Sequence, residues 1–93
     1  MEKKKKIQWR KLLIEITDSV AENEIVFQGQ RFRFQYVGYR ISRLGYLIIW
    51  EISTNRAIQM SRLKIPTNKQ FIDIDDDKEQ HEKIPSQLVF EEM

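Results

Sequence analysis

The sequence contains no cysteine, and this absence removes several classes of site at once. A disulfide scaffold, a zinc site built on thiolates and a cysteine nucleophile are all excluded. The chain has a single histidine, so a zinc site built on two imidazoles is excluded as well. Because small domains without cysteine suit a reducing compartment, we expect a cytoplasmic protein.

Glycine and long apolar runs are also scarce. The three glycines, at positions 29, 38 and 45, lie too far apart to form a phosphate-binding loop. The longest wholly apolar run, residues 46–50, is about a quarter of the length that a membrane-spanning helix needs. Directly after the basic N-terminus, where a signal peptide has an apolar segment, the chain contains polar and charged residues, so we expect no signal peptide. We therefore expect no membrane span.

Candidates for catalysis or metal binding do not complete a known site. In Asp73–Asp77 an aspartate recurs at alternate positions, as at the start of a calcium loop. Lys78 and Ile84 occupy the positions at which that loop needs glycine and a bidentate glutamate. His81 lies in a charged segment, and none of the serines belongs to a nucleophile motif. The sequence therefore predicts no metal site, no cofactor and no enzyme activity.

Charge is strongly segregated along the chain, although the formal net charge is only +2. Residues 25–64 carry seven basic side chains and one acidic side chain, whereas residues 65–93 carry three basic and eight acidic ones. A basic surface attracts polyanions or acidic proteins. We therefore expect a basic surface on the middle segment and an acidic C-terminal tail, which either covers that surface or leaves it open.

Residues 8–23 show the spacing of an amphipathic helix. The apolar positions that form one stripe are Trp9, Leu12, Leu13, Ile16 and Val20. A strand over Leu12–Thr17 is the alternative, because this stretch contains β-branched residues. The favoured interpretation is a helix that packs its apolar stripe on the rest of the domain.

An antiparallel meander is predicted over residues 25–63. Within residues 31–36, arginine and glutamine alternate strictly with phenylalanine and tyrosine, so the aromatic residues face the core and the arginines face outward. We expect Gly29-Gln30 to form the first hairpin loop, which sets Phe27 opposite Phe32.

Turn residues predict the next two connections. The apolar phase slips at Gly38, which indicates a β-bulge or bend that returns Tyr39 and Ile41 to the core face and places Arg40 with the outward arginines. Residues 42–45 form the turn that follows. A loop over residues 54–56, with a left-handed residue at 55 or 56, then sets residue 50 opposite residue 60 on the core face.

The C-terminal segment has less regular patterns. Phe71–Ile74 is a candidate fourth or edge strand. Residues 75–83 are highly charged and are expected to form a solvated, mobile loop. Residues 84–90 carry enough apolar side chains either to dock on the domain or to reach a partner.

Together these patterns predict a single α+β domain. Its N-terminal helix packs on a three- to four-stranded antiparallel β-meander, and a small SH3- or OB-like β-barrel is the alternative fold. We assign residues 1–7 to a basic N-terminal arm, residues 8–74 to the domain and residues 75–93 to the acidic C-terminal tail.

The first functional hypothesis is a small, non-enzymatic nucleic-acid-binding module. A basic sheet face would contact phosphates with little sequence preference and a strong dependence on salt. The residues predicted to make these contacts are Arg31, Arg33, Arg40, Arg43, Arg62 and Lys64.

The second hypothesis is a protein-binding adaptor or inhibitor, of the kind carried by phages and other mobile elements. It would use the same arginines against an acidic protein surface, or Leu88, Val89 and Phe90 as an added strand or anchor. Four or more arginines clustered on one sheet face, with no acid between them, favour nucleic acid. A contiguous exposed apolar patch near residues 88–90 favours a protein partner.

Overall fold

A mostly antiparallel, six-stranded open sheet forms the centre of the structure, a computed structural model that describes residues 6–93. In chain order the elements are α1 (Trp9–Asp18), β1 (Glu24–Phe27), β2 (Gln30–Gly38), β3 (Leu44–Glu51), β4 (Arg56–Lys64), β5 (Ile72–Asp73), α2 (Asp77–Lys83) and β6 (Val89–Phe90). The predicted α+β class, with an N-terminal helix and a β-meander, is confirmed. Most of the predicted basic arm, residues 1–5, lies outside the described residues.

The sheet order is β1-β2-β3-β4-β6, and the sheet is open rather than closed into the alternative barrel. Strands β1 to β4 form the antiparallel meander. The short β5 lies beside the end of β2 in a parallel pair, on the same side of β2 as β1. The short β6 is parallel to the start of β4. Of the two short strands, β5 lies within Phe71–Ile74, the segment predicted as a fourth or edge strand, and β6 is a strand of the sheet that the sequence did not predict.

Helix α1 covers one face of the sheet, which we call the first face, and it supplies part of the main core. The buried side chains there are Trp9, Leu12, Ile16, Phe32, Phe34, Tyr36, Leu47, Ile49, Ile58 and Ile65. The rings of Trp9 and Phe32 meet edge to face, with centroids 5.9 Å apart. The helix ends at Asp18, earlier than predicted, because Ser19 is extended and Val20 is exposed.

The first hairpin turns at Gln28-Gly29, one position earlier than predicted. Both turn residues have positive φ, 52° and 78°, as a two-residue hairpin turn with the right twist requires. Phe27 therefore pairs with Gln30, and Ile25 pairs with Phe32. The predicted pairing was wrong by two positions, and an even shift leaves each side chain on its predicted face.

The prediction of a bulge at Gly38 was wrong, and so was the inward position of the residues that follow it. Strand β2 ends at Gly38, and the chain turns through residues 39–44, with the N–H of Tyr39 donating to the carbonyl of Leu44 at 2.9 Å. Tyr39 and Ile41 are exposed in this turn rather than buried. The irregular pairing lies instead between β3 and β4, near Arg62, whose φ is +58°.

The predicted register of β3 and β4 was also wrong, and here the error moves a side chain to the other face. Trp50 pairs with Ala57 rather than with Met60. Because this shift is an odd number of positions, Trp50 points away from the main core, to the side that we call the second face. The loop was predicted to have a left-handed residue at position 55 or 56. It is Asn55, whose φ is +60°.

The C-terminal segment covers the second face. The charged stretch predicted as a loop contains α2, whose first turn is capped by the side chain of Asp76 accepting from the N–H of Glu79 at 3.0 Å. Ile84 and Leu88 then pack against a second, smaller core that contains Trp50. Strand β3 therefore has apolar side chains on both faces of the sheet. Those on the second face, Ile48 and Trp50, are covered by the C-terminal segment.

Candidate functional site

Arg31 and Arg33 share one carboxylate on the neighbouring strand. A nitrogen of Arg31 lies 2.8 Å from Glu24, and Nε of Arg33 lies 3.2 Å from the other oxygen of the same carboxylate. The hydrogen bond from Arg31, followed by that from Arg33, holds the pKa of Glu24 below its usual value. An acid therefore stands between the two arginines that the sequence placed on one outward row.

We expect acid titration to report this arrangement directly. Because the folded-state pKa of Glu24 is depressed, its contribution to stability is present above the ordinary value of 4.5 and is lost as pH falls through the folded-state pKa. Carboxyl carbon NMR should give Glu24 a pKa below its ordinary value of 4.5. In the double variant Arg31→Gln with Arg33→Gln the depression should vanish, and an unchanged pKa would contradict the pairing.

The other predicted arginines of this segment do not join that row. Arg40 lies in the turn that follows β2, with its guanidinium 3.3 Å from Asp73. Arg43 donates to the carbonyl oxygens of Pro66 and Lys69, at 2.6 and 3.1 Å, and its guanidinium lies 4.9 Å from the centre of the Phe71 ring. Arg43 thus holds the loop after β4 against the sheet, which is a structural task.

Arg62 and Lys64 lie near the end of β4 and are exposed. Neither side chain has an ion pair within residues 6–93. The six predicted contact residues therefore form two groups. Arg31 and Arg33 share one carboxylate on the second face. The other four lie toward the far end of β2 and β4, where Asp73 pairs with Arg40 and Arg43 anchors a loop. Their arrangement lacks the acid-free cluster of four that would favour a nucleic acid.

Two structurally important cations were missed in the sequence. Arg56, with a side chain only 14% exposed, forms an ion pair with Glu91, which also accepts from Nε1 of Trp9 at 3.2 Å. Buried Lys69 donates to the carbonyls of Ser19 and Ala21, and burial lowers its pKa. The partners lie 35 to 82 residues away in the chain, and no local pattern reveals contacts of that range.

The outer side of Gln59–Lys64, which we call the β4 edge, is the longest unpaired strand edge within residues 6–93. β6 pairs with only the first two of the nine β4 residues. The N–H of Glu91 donates to the carbonyl of Ala57 at 2.8 Å, so the backbone polar groups of Ala57 face β6. Strand alternation then directs the N–H and C=O of Gln59 and Ser61 toward solvent.

The apolar residues predicted as an anchor lie beside this edge. Val89 and Phe90 form β6, and about half of each residue's surface is exposed. Leu88 differs from them because it packs into the second core. An exposed apolar pair thus stands at the point where β6 stops and the unpaired part of β4 begins.

A shallow cleft of about 510 Å³ opens on the second face between β3 and α2. Its lining includes Arg33, Tyr46 and Trp50, with His81 on the opposite wall. The Tyr46 hydroxyl donates to the side chain of Gln80 at 3.1 Å, and burial raises the pKa of this tyrosine. The Tyr46 hydroxyl is therefore already hydrogen-bonded within the cleft. The β4 edge, whose outward backbone groups have no such partner within residues 6–93, is the stronger candidate for a binding site.

Residues 6–93 contain no cluster of metal ligands and no membrane-spanning helix. No three His, Asp or Glu side chains of residues 6–93 converge to hold a metal ion. Asp73 instead pairs with Arg40 and accepts from the N–H of Asp75 at 3.0 Å. Among the described residues, neither helix has the length and apolar character needed to cross a bilayer.

Comparisons with known proteins add no relationship. No protein-family model, no curated protein sequence and no solved structure matches this chain.

Proposed function

We propose that this protein is a protein-binding module that takes an extended segment of its partner onto the β4 edge. The observation that carries the proposal is the length of β4 left unpaired, with the backbone groups of Gln59 and Ser61 directed outward. A strand that pairs there gains main-chain hydrogen bonds without any rearrangement of the sheet. β6 shows, within this chain, that the same edge already accepts a parallel strand.

The side chains at this edge indicate the chemistry of the partner segment. Arg62 and Lys64 offer two cations that have no ion pair within residues 6–93, so acidic residues in the segment are favoured. Exposed Phe90, beside the start of the free edge, offers a contact for an apolar residue. A second copy of this protein is a less favourable partner, because pairing two β4 edges would bring Arg62 and Lys64 of both copies close together.

The experiment is selection from a random peptide library displayed on phage, with the full-length protein as bait. We expect enriched peptides that alternate apolar and acidic residues and bind with a Kd on the order of micromolar, as strand-addition ligands do. Their affinity should fall as salt is raised, because the acidic residues face Arg62 and Lys64. Enrichment of basic peptides would contradict the proposed partner chemistry.

A proline substitution at the edge provides the matched test. Gln59→Pro removes an outward N–H, and proline is tolerated at an edge position whose N–H faces solvent. We expect at least about a tenfold loss of affinity for the selected peptides, the size of one lost hydrogen bond. Gln59→Thr, which keeps the N–H, should bind like the original protein, and equal loss in both variants would place the contact in the side chain.

The nucleic-acid hypothesis is tested in parallel by fluorescence anisotropy with short labelled DNA and RNA at two salt concentrations. Our proposal expects no binding tighter than about 100 μM at physiological salt. Micromolar binding that Arg33→Glu with Arg40→Glu abolishes, without a change in thermal stability, would instead support the basic contact residues.

A further inference from the structure

Strand β6 covers the start of the same strand whose later part forms the β4 edge. The N–H of Val89 donates to the carbonyl of Asn55 at 2.9 Å, and the N–H of Glu91 donates to that of Ala57 at 2.8 Å. The outward backbone groups of residues 55–61 therefore form one row, of which β6 occupies the first part and the β4 edge is the rest. A strand that takes the whole row has to replace β6.

Little apolar surface holds β6 in this place. About half of the surface of Val89 and of Phe90 is exposed, and the pairing with β4 extends over two residues only. Leu88, directly before β6, packs into the second core and marks where the firmly docked part of this segment ends. Because short and exposed pairings open at a low cost in free energy, β6 is suited to exchange with another strand.

The carboxylate of Glu91 supplies the main polar attachment of β6. It pairs with the guanidinium of Arg56, whose Nη2 lies 3.0 Å away, and it accepts from Nε1 of Trp9 at 3.2 Å. The hydrogen bond to Glu91 is the main cause that raises the pKa of Arg56, ahead of the charge of Glu51. Since the Arg56 side chain is only 14% exposed, a carboxylate suits this place better than water does. Arg56 therefore favours an acidic residue in the strand that lies on the start of β4.

We propose that β6 is an internal ligand of the partner site, and that the partner's segment replaces it on residues 55–57 with an acidic residue in the position of Glu91. This inference rests on the proposed function and deepens it, because it gives the segment a direction and a motif. The direction is parallel to β4, as in β6, and the motif is two apolar residues followed by an acid, as in Val89-Phe90-Glu91. The β4 edge alone takes the segment in a short contact, and the release of β6 lengthens it. A segment without the acid leaves β6 in place, which adds to specificity.

The test measures the affinity of two full-length variants for the peptides selected on the original protein. Glu91→Gln weakens the attachment of β6, so we expect it to bind those peptides at least about fivefold more tightly than the original protein does. Glu92→Gln is the matched control, because it removes the same charge from the next residue, which has no ion pair within residues 6–93. Its affinity should stay within about twofold of that of the original protein.

Amide hydrogen exchange and the indole signals of the two tryptophans report the replacement of β6 directly. Saturating peptide should make the N–H groups of Val89 and Glu91 exchange at least about tenfold faster, since both lose their acceptors on residues 55 and 57. The indole N–H resonance of Trp9 should shift, because its acceptor is the carboxylate that leaves. The resonance of Trp50, which packs against Leu88 in the second core, should change less.

The possible failures of this inference and of the proposed function differ. Peptides that slow Gln59 and Ser61 but leave Val89 and Glu91 protected, and that bind Glu91→Gln no better, would overturn the replacement of β6 while the β4 edge stands. Failure to select any peptide, with either the original protein or Glu91→Gln as bait, would overturn both. Equal gains of affinity in Glu91→Gln and Glu92→Gln would assign the gain to net charge and would overturn the role of the acid.

Discussion

Gly45→Ala should lower the free energy of unfolding by about 3 kcal/mol or more. A Cβ atom at this position would lie 1.9 Å from the carbonyl oxygen of Val37 and 2.5 Å from the Cα of Gly38. Both obstacles are backbone atoms of β2, so relief requires that β2 and β3 separate next to the turn formed by residues 39–44. Urea unfolding followed by circular dichroism measures the loss.

Gly29→Ala is the control for this prediction. Gly29 has φ of +78°, but nothing lies within 4 Å of an added Cβ. Only the strain of a left-handed alanine remains, which costs about 1 kcal/mol. If Gly45→Ala costs no more than Gly29→Ala, the close approach of β2 and β3 is wrong.

Removal of residues 84–93 should lower the free energy of unfolding by about 4 kcal/mol or more. The deletion uncovers Trp50 on the second face and takes away Ile84 and Leu88. It also removes Glu91 and with it the ion pair to Arg56, whose side chain is only 14% exposed. Since a domain of this length has only roughly 5–14 kcal/mol of stability, the loss should be evident in a thermal unfolding curve.

Residue-level controls separate the two parts of that loss. Leu88→Ala removes only apolar contact and should cost about 2 kcal/mol, because the side chain is partly buried. Glu91→Gln removes the charge and should cost about 1–2 kcal/mol. A deletion variant as stable as the full chain would show that residues 84–93 do not dock on the domain, which was one of the two alternatives that the sequence left open.

Alternation and turn chemistry predicted the first part of the fold well. Strict alternation in residues 31–36 assigned Phe32 and Phe34 to the core, where both are buried. The positive φ that a tight hairpin needs pointed to Gly29, and an even error in register left the faces intact. Local sequence is sufficient where the side-chain period itself decides which face is buried.

The second face lay beyond such reasoning because its cover comes from a distant segment. Residues 46–50 are apolar at every position, so alternation cannot tell which of them face α1. That Trp50 turns toward Leu88 depends on a contact made nearly forty positions later in the chain. Charge in residues 75–83 suggested a loop, yet Asp76 caps a helix there, and helix α2 has no buried residue to mark it in the sequence.

The candidate site was similarly hidden. Composition identified the arginines, but not that Glu24 bridges Arg31 and Arg33 or that Arg43 anchors a loop. An unpaired edge is a property of the whole sheet, because it exists only where β6 stops after two residues. Sequence indicated an apolar contact near residues 88–90, and the structure divides it between the second core and the exposed strand β6.

Amide hydrogen exchange on the full-length protein, alone and with a peptide selected on it, tests the central claim most directly. Alone, the amides of Gln59 and Ser61 should exchange fast while those of Ile58 and Met60, which face β3, exchange slowly. Saturating peptide should slow Gln59 and Ser61 by at least about tenfold, since each then donates to the added strand. If bound peptide leaves both amides exchanging fast, or protects β1 instead, the β4 edge is not where this protein takes its partner.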